Sequence, residues 1–392
     1  MDSLNSQSNE KNSNKINQSH IKYIHSINES EIKSCCQSWI EEFPDMAVMA
    51  YVAESDADKV PTVQAVLNGL NVPLAGAIFP ALLYEAEFRP AGLLLVCLPA
   101  RPSWHLQADM PVDSEALSTV LESIIDNIST ELDETEDSTL FMMFDAMVPN
   151  IATVLDELYL MLGDSVHYVG VNAGSETFEP MPCLFDNERV VQNGLLAILL
   201  TPNRGAILEH GYQAPEQSIM ATATTGNRVV SIDWKPAFEV YSERVREQYN
   251  VEITRENFYE HAVHFPFGIV RADNEVLVRI PVMLDEDNAL FCVGEIPENS
   301  VLTLLNAPQA KSLHTVNQLV EKMSDNSVNL LFYCAGRRMH LTEAADNELT
   351  DFQSKVDERL NAGALSLGEI GSSHKGGYPL FHNATLVVLP LN

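Results

Sequence analysis

Short apolar runs rich in β-branched and aromatic residues alternate along the chain with stretches whose apolar residues recur at helical spacing, and this alternation predicts an α/β protein. Three segments share one plan. The first has a strand candidate at 46–52, a helical face of Val60, Val63, Leu67 and Leu70, and strands at 73–78 and 92–98. The second repeats it with 140–144, a face of Ile151, Val154, Leu155, Leu158 and Leu162, then 167–171 and 194–200. The third has 328–334, a face of Leu349, Phe352, Val356 and Leu360, a glycine-broken stretch at 363–371, and a strand at 384–389. The repetition suggests internal duplication. Because each strand candidate is apolar on both faces, it needs cover on both sides. The expected fold is therefore α/β (α+β), with two sheets packed face to face, helices on the outer faces, and repeated strand-helix-strand segments.

Between the segments, Leu117, Val120, Leu121, Ile124, Ile125 and Ile128 predict an amphipathic helix capped by Asp113 or Ser114. Pro236 stands where a first helical turn tolerates it, ahead of Ala237, Phe238, Val240 and Tyr241. Residues 275–305 read as antiparallel strands with turns at 285–288 and 297–299. Residues 1–30 are polar and read as a flexible leader outside the fold. Residues 31–230 and 231–392 are the expected N-terminal and C-terminal parts of one ligand-binding body.

The net charge of -32, from 55 acidic and 23 basic residues, makes nucleic acid and anionic membrane surfaces repellent partners. No Lys or Arg occurs from Pro102 through Glu188. That acidic stretch reads as a solvated face in preference to a dock for a basic partner. The six cysteines, Cys35, Cys36, Cys97, Cys183, Cys292 and Cys334, are too sparse for a disulfide framework, and most have apolar neighbours. With no signal-peptide core and no run of membrane-spanning length, cytoplasmic residence is expected.

The sequence lacks a phosphate loop, a dinucleotide fingerprint, HExxH, paired CxxC and a GxSxG elbow, so the expectation is a protein that is not an enzyme. His261 and His264 at i and i+3 form an incidental pair in preference to a metal site. Gly76, Gly170, Gly174, Gly368 and Gly371 fall at strand ends of the three segments, where glycine permits close backbone approach, and they suggest a pocket rim. Beside them, Arg337 is positioned to meet either a ligand anion or Glu369, and these alternatives stay open. His210 and His382 are the histidines nearest such a pocket.

At these residues the chain resembles the FIST family of sensory domains, from about Glu42 to the C-terminus. The motifs occur in order: VGVNAG (169–174), NGLLAILL (193–200), EHGY (209–212), DWKPAFEVY (233–241), FPFGI (265–269), GEIPENS (294–300), CAGR (334–337), GEIG (368–371) and FHNATLVV (381–388). One stretch departs from the family pattern: GAIFPALLYE at 76–85 is apolar where members carry a small polar turn. The resemblance implies a sensor that binds a small-molecule or gas ligand and signals to a separate histidine kinase or cyclic-di-GMP enzyme. Gly170, Asn172, Gly174, Arg337, Gly368 and Glu369 are the candidate ligand-binding residues. Stand-alone members of this length resemble nitric-oxide-sensing haemoproteins, which makes haem the expected cofactor and His210, His264 and His382 the candidate axial ligands. The competing expectations are a non-haem sensor for an amino acid or similar metabolite, and an enzyme with an unrecognised site.

Overall fold

Each of the three segments becomes the centre of its own six-stranded sheet. The computed structural model describes residues 16–391 apart from 130, 131, 133–135, 272–274, 309–313, 324–327, 357–360 and 373–376. Leu360, expected on a helix face, lies outside the described residues.

The opening strands Ala47–Ala53, Thr139–Asp145 and Val328–Cys334 are buried along their whole length, which is why they read as unbroken apolar runs. Each pairs in parallel with the next strand of its segment, Leu74–Phe79, His167–Ala173 or Asn361–Ser366. A parallel pair needs a crossover, supplied by the helices Val60–Gly69, Ile151–Leu162 and Ala344–Lys355. On its other side each opening strand pairs antiparallel with a closing strand, Leu93–Leu98, Leu195–Leu200 or Leu386–Leu391.

Every segment also lends a hairpin to another sheet. Leu82–Tyr84 of the first pairs with Asn361–Ser366 of the third, Leu184–Asp186 of the second with Leu74–Phe79 of the first, and Glu369–Gly371 of the third with His167–Ala173 of the second. The outer edges are filled in turn by Ile21–Ile24, Trp104–Gln107 and Ile207–Glu209. The result is a ring of three interlocked sheets around one core, where Tyr51 and Phe79, Phe141, and Phe332 of the three segments meet at centroid distances of 5.4 to 6.2 Å.

This arrangement keeps the α/β class and the outer helices, and in place of a pair of facing sheets it has three interlocked ones and a fourth. It also moves the start of the fold. Ile21 and Ile24 are buried on the edge of the first sheet and a helix begins at Glu29, so a leader running to residue 30 is too long. The division at 230/231 separates nothing mechanically, because the third segment supplies strands to the second sheet and receives a hairpin of two from the first segment. The apolar stretch 76–85 is explained by the exchange: Leu82 and Leu83 are buried in a strand of the third sheet.

The strand glycines serve that interlocking. Gly76 is registered between Ala50 and Phe185, Gly170 between Met142 and Ile370, and Gly363 between Leu331 and Leu83. A Cβ would stand 2.3 Å from Ala50 O at Gly76, 2.8 Å from Met142 O at Gly170 and 2.0 Å from Leu331 O at Gly363. These three are the equivalent positions, and they are packing glycines of the sheets, not the rim of a pocket.

A fourth, eight-stranded sheet lies between the second and third segments. Helix Ala237–Tyr249 buries Phe238, Tyr241 and Val245 against its Val229, Phe267, Leu290 and Leu302, with Pro236 at the N-cap. Left-handed Asn288 and Asn299 make its expected turns. Helix Ser114–Ile128 forms as its periodicity predicts, Asp113 accepting from the backbone N of Ala116. Its Glu115, Glu122 and Asp126 face solvent. Among the described residues, no helix is long and apolar enough to cross a membrane.

Candidate functional site

The third segment turns from strand Val328–Cys334 directly into helix Ala335–Leu341, placing Arg337 in its first turn with the side chain fully buried. Arg337 Nε donates to Glu348 Oε2 at 2.8 Å and Nη2 to Glu348 Oε1 at 2.6 Å, a bidentate pair. Its remaining donors reach the carbonyls of His210 (2.6 Å) and Ala384 (3.2 Å) and Thr315 Oγ1 (3.2 Å), while Tyr333 donates to Glu348 Oε2 at 2.6 Å. Burial alone favours a neutral guanidine, but the hydrogen bonds and charge of Glu348 outweigh it and hold Arg337 protonated. The guanidinium is thus spent on the fold. Both sequence alternatives for Arg337, a ligand anion and Glu369, give way to Glu348. Glu348 has one legible signal: it sits on a helix face with Ala345, Leu349 and Phe352, where a lone carboxylate requires a buried cation.

In front of this network lies a small, partly open cavity of about 60 Å³. Its walls are mostly apolar: Phe178 from one side, Val263, Ile280 and Val282 from the fourth sheet and its helices, and Met339 and Leu367 from the third segment. Glu176, Cys334 and Asn383 supply polar chemistry, and among the described residues no Lys or Arg lines it. Gly336 lies on the wall because a Cβ there would stand 2.4 Å from Ile280 Cδ1.

Glu369 sits behind Cys334, fully buried. Its Oε1 accepts from Ser366 Oγ at 2.6 Å and its Oε2 from the Thr385 backbone N at 3.4 Å, and it hydrogen-bonds Cys334. Burial pushes its carboxyl up to about 8, the hydrogen bonds and Arg337 recovering only part of the loss. Burial, then the charge of Glu369, pushes the Cys334 thiol up as well, against backbone donors from Arg337, Ala384 and Gly336.

The histidines have different fates. His210 Nδ1 accepts from the Tyr212 backbone N at 3.0 Å and its ring also bonds the Val276 backbone; burial and then Arg337 push it down to about 4. His382 is sealed at 1% exposure and pushed down to about 3 by burial, then His210 and Arg279; neither ring nitrogen completes a hydrogen bond of good geometry, although the Gly371 backbone is close. His264 pairs not with His261 but with His340, Nδ1 to Nδ1 at 2.9 Å, a partner the sequence did not suggest. Burial and then His264 and Arg337 push His340 down to about 4, so it is neutral, and it bonds the Pro308 backbone. Among the described residues, no three His, Cys, Asp or Glu residues cluster to hold a metal ion.

Of the expected ligand-binding residues, Asn172 and Gly368 meet as ladder partners, Asn172 N donating to Gly368 O at 2.8 Å, and Glu369 pairs with Val171 beside them. Gly174, at φ +125°, turns the chain toward Ser175 and Glu176. None of Gly170, Asn172, Gly174, Arg337, Gly368 and Glu369 lines the cavity; Cys334, Asn383 and Leu367, their neighbours, do.

The chain belongs to the FIST family: residues 47–235 match the FIST N domain and residues 237–372 the FIST C domain. FIST domains are signal-transduction sensor domains, sensory in character and not catalytic. No curated protein matches the chain. The cavity lies between the two matched parts, with Glu176 and Phe178 from the first and Val263 through Leu367 from the second.

Proposed function

We propose that this cavity is the ligand site of a sensor and that it takes a small, uncharged, largely apolar molecule. The observation carrying the reading is the lining itself: apolar walls drawn from both matched parts and, among the described residues, no cation lining them to neutralise a ligand carboxylate. Desolvating an anion against Glu176, with Arg337 already committed to Glu348, is unfavourable. A free amino acid is therefore a poor occupant. Thermal unfolding of the full chain tests this: indole raises the midpoint with concentration, as a ligand binding only the folded state does. L-Glutamate and L-leucine leave it unchanged. A midpoint raised by the amino acids and not by indole contradicts the reading. The output, on this account, is a separate histidine kinase or cyclic-di-GMP enzyme acting in the cytoplasm.

A second reading, haem as the sensing group, is favoured by one observation. His264 follows Val263 of the cavity wall and has Nδ1 engaged by His340, a contact that orients its ring. Apolar walls suit the group, although among the described residues no histidine itself lines the cavity. His264 would hold the iron, His340 would fix its ring, and the haem would supply an iron able to take nitric oxide. Titration with haemin decides it: a Soret band that shifts with nitric oxide, lost in His264→Ala and kept in His210→Ala and His382→Ala, supports haem. No complex in the wild type, or an unchanged band in His264→Ala, overturns it.

A further inference from the structure

The closing strands Leu93–Leu98, Leu195–Leu200 and Leu386–Leu391 hold equivalent places in the three segments, and their last residues, Leu98, Leu200 and Leu391, meet around one cavity of about 240 Å³. It lies at the opposite end of the ring from the cavity beside Cys334. Leu391 is registered with Val328, the first residue of the strand whose last residue is Cys334, and the seven residues of that strand span about 20 Å.

The chemistry of this wall differs from the rest of the chain. Among 55 acidic and 23 basic residues, Arg89, Arg189, Arg204, Arg228, Arg244 and Arg337 each meet a carboxylate. Arg101 lines the cavity and meets none. Among the described residues, no group pairs with its guanidinium or hydrogen-bonds it, and no Asp or Glu shares the wall. Asp137, whose backbone carbonyl accepts from the backbone N of Asn203 on the same wall, is held by Arg204 at 3.0 Å. The Asn203 amide is itself engaged: Oδ1 accepts from Thr139 Oγ1 and Gly205 N, and Nδ2 donates to Pro390 O. Pro99, Pro102 and Pro202 have no N–H to offer. A guanidinium without an acceptor, set beside leucine walls, matches one carboxylate carried on an apolar body.

We propose that this cavity is a second ligand site, separate from the sensor cavity, and that it takes a small monocarboxylate with an aliphatic body. Arg101 holds the carboxylate, and Leu98, Leu200 and Leu391 cover the body. Because Arg101 is exposed at the mouth, both charges keep part of their hydration, so the desolvation cost that bars acids from the sensor cavity does not arise here. A multiply charged anion is disfavoured, since its further charges meet apolar walls and the field of a chain with net charge -32.

Titration calorimetry of the full chain with sodium octanoate tests this. Saturable binding at one site per chain is expected, weakened at least about tenfold in Arg101→Gln, a change at an exposed position that removes no contact among the described residues. Octan-1-ol, the same body without the charge, should fail to displace octanoate at equal concentration. Octanoate affinity should be unchanged in Val282→Trp, which alters only the sensor cavity, so the two readings stand or fall separately. Absence of saturable octanoate binding, equal affinity in the wild type and Arg101→Gln, displacement by octan-1-ol, or loss in Val282→Trp overturns the proposal. Sodium sulfate binding as tightly as octanoate would mean that charge alone is recognised, and overturns it as well.

Discussion

Removing Glu348 leaves a guanidinium buried with no counter-charge, and Tyr333 loses its acceptor at the same time. Breaking a buried pair from one side costs about 3–5 kcal/mol, so Glu348→Ala should lower the urea midpoint by that equivalent, whereas Glu369→Gln should leave the Arg337 network intact. The titrating groups set a pH dependence with a worked sign. His210, His340 and His382 lie below the usual 6.5 in the folded chain, at about 4, 4 and 3, so the unfolded chain binds their protons first and stability falls as pH drops below 6.5. Glu369 lies above its usual 4.5, at about 8, so the folded chain holds a proton the unfolded one has lost, and stability falls as pH rises toward 8. Three histidines outweigh one carboxyl between these limits. Melting temperature should therefore peak near pH 6.5. In Glu369→Gln the decline between pH 6.5 and 8 should vanish and the acid decline remain; a decline unchanged at both ends contradicts the assignment.

Among elements, the opening strands were legible because burial on both faces writes an uninterrupted apolar run, and the helices because their inner faces repeat at helical spacing. The lent hairpins were not. Leu82–Tyr84 pairs with Asn361–Ser366, and nothing local to either names the other. For the same reason Gly76 and Gly170 were read as part of a pocket rim when they are packing positions whose partner comes from another segment. Gly76→Ala puts a methyl 2.3 Å from Ala50 O and 2.5 Å from the Phe185 ring, so a loss of about 1–3 kcal/mol is expected. Gly69→Ala, near the end of its helix with nothing within 4 Å, should gain roughly 0.5–1 kcal/mol. Chemical denaturation of both variants checks the contrast, and equal effects contradict it.

At the scale of the molecule, interlocking means that neither family-matched part closes its sheets alone. Residues 16–235 lack the third opening strand and the hairpin Glu369–Gly371 that covers His167–Ala173. That fragment should melt without a cooperative transition by circular dichroism, and a sharp transition would mean that the parts are separable. The pocket is a product of the same assembly, which is why the sequence pointed to its neighbourhood and missed its walls. Cys334 was legible as the end of a buried strand, but Phe178, Val263, Val282 and Met339 converge only once the ring has closed. The most direct test of the account is binding of the uncharged fluorophore N-phenyl-1-naphthylamine to the full chain and to Val282→Trp, whose indole fills the cavity from one wall. Saturable binding at one site per chain in the wild type, lost in the variant with its melting temperature preserved, is the predicted result. Absence of binding to the wild type, or equal binding by both, would contradict it.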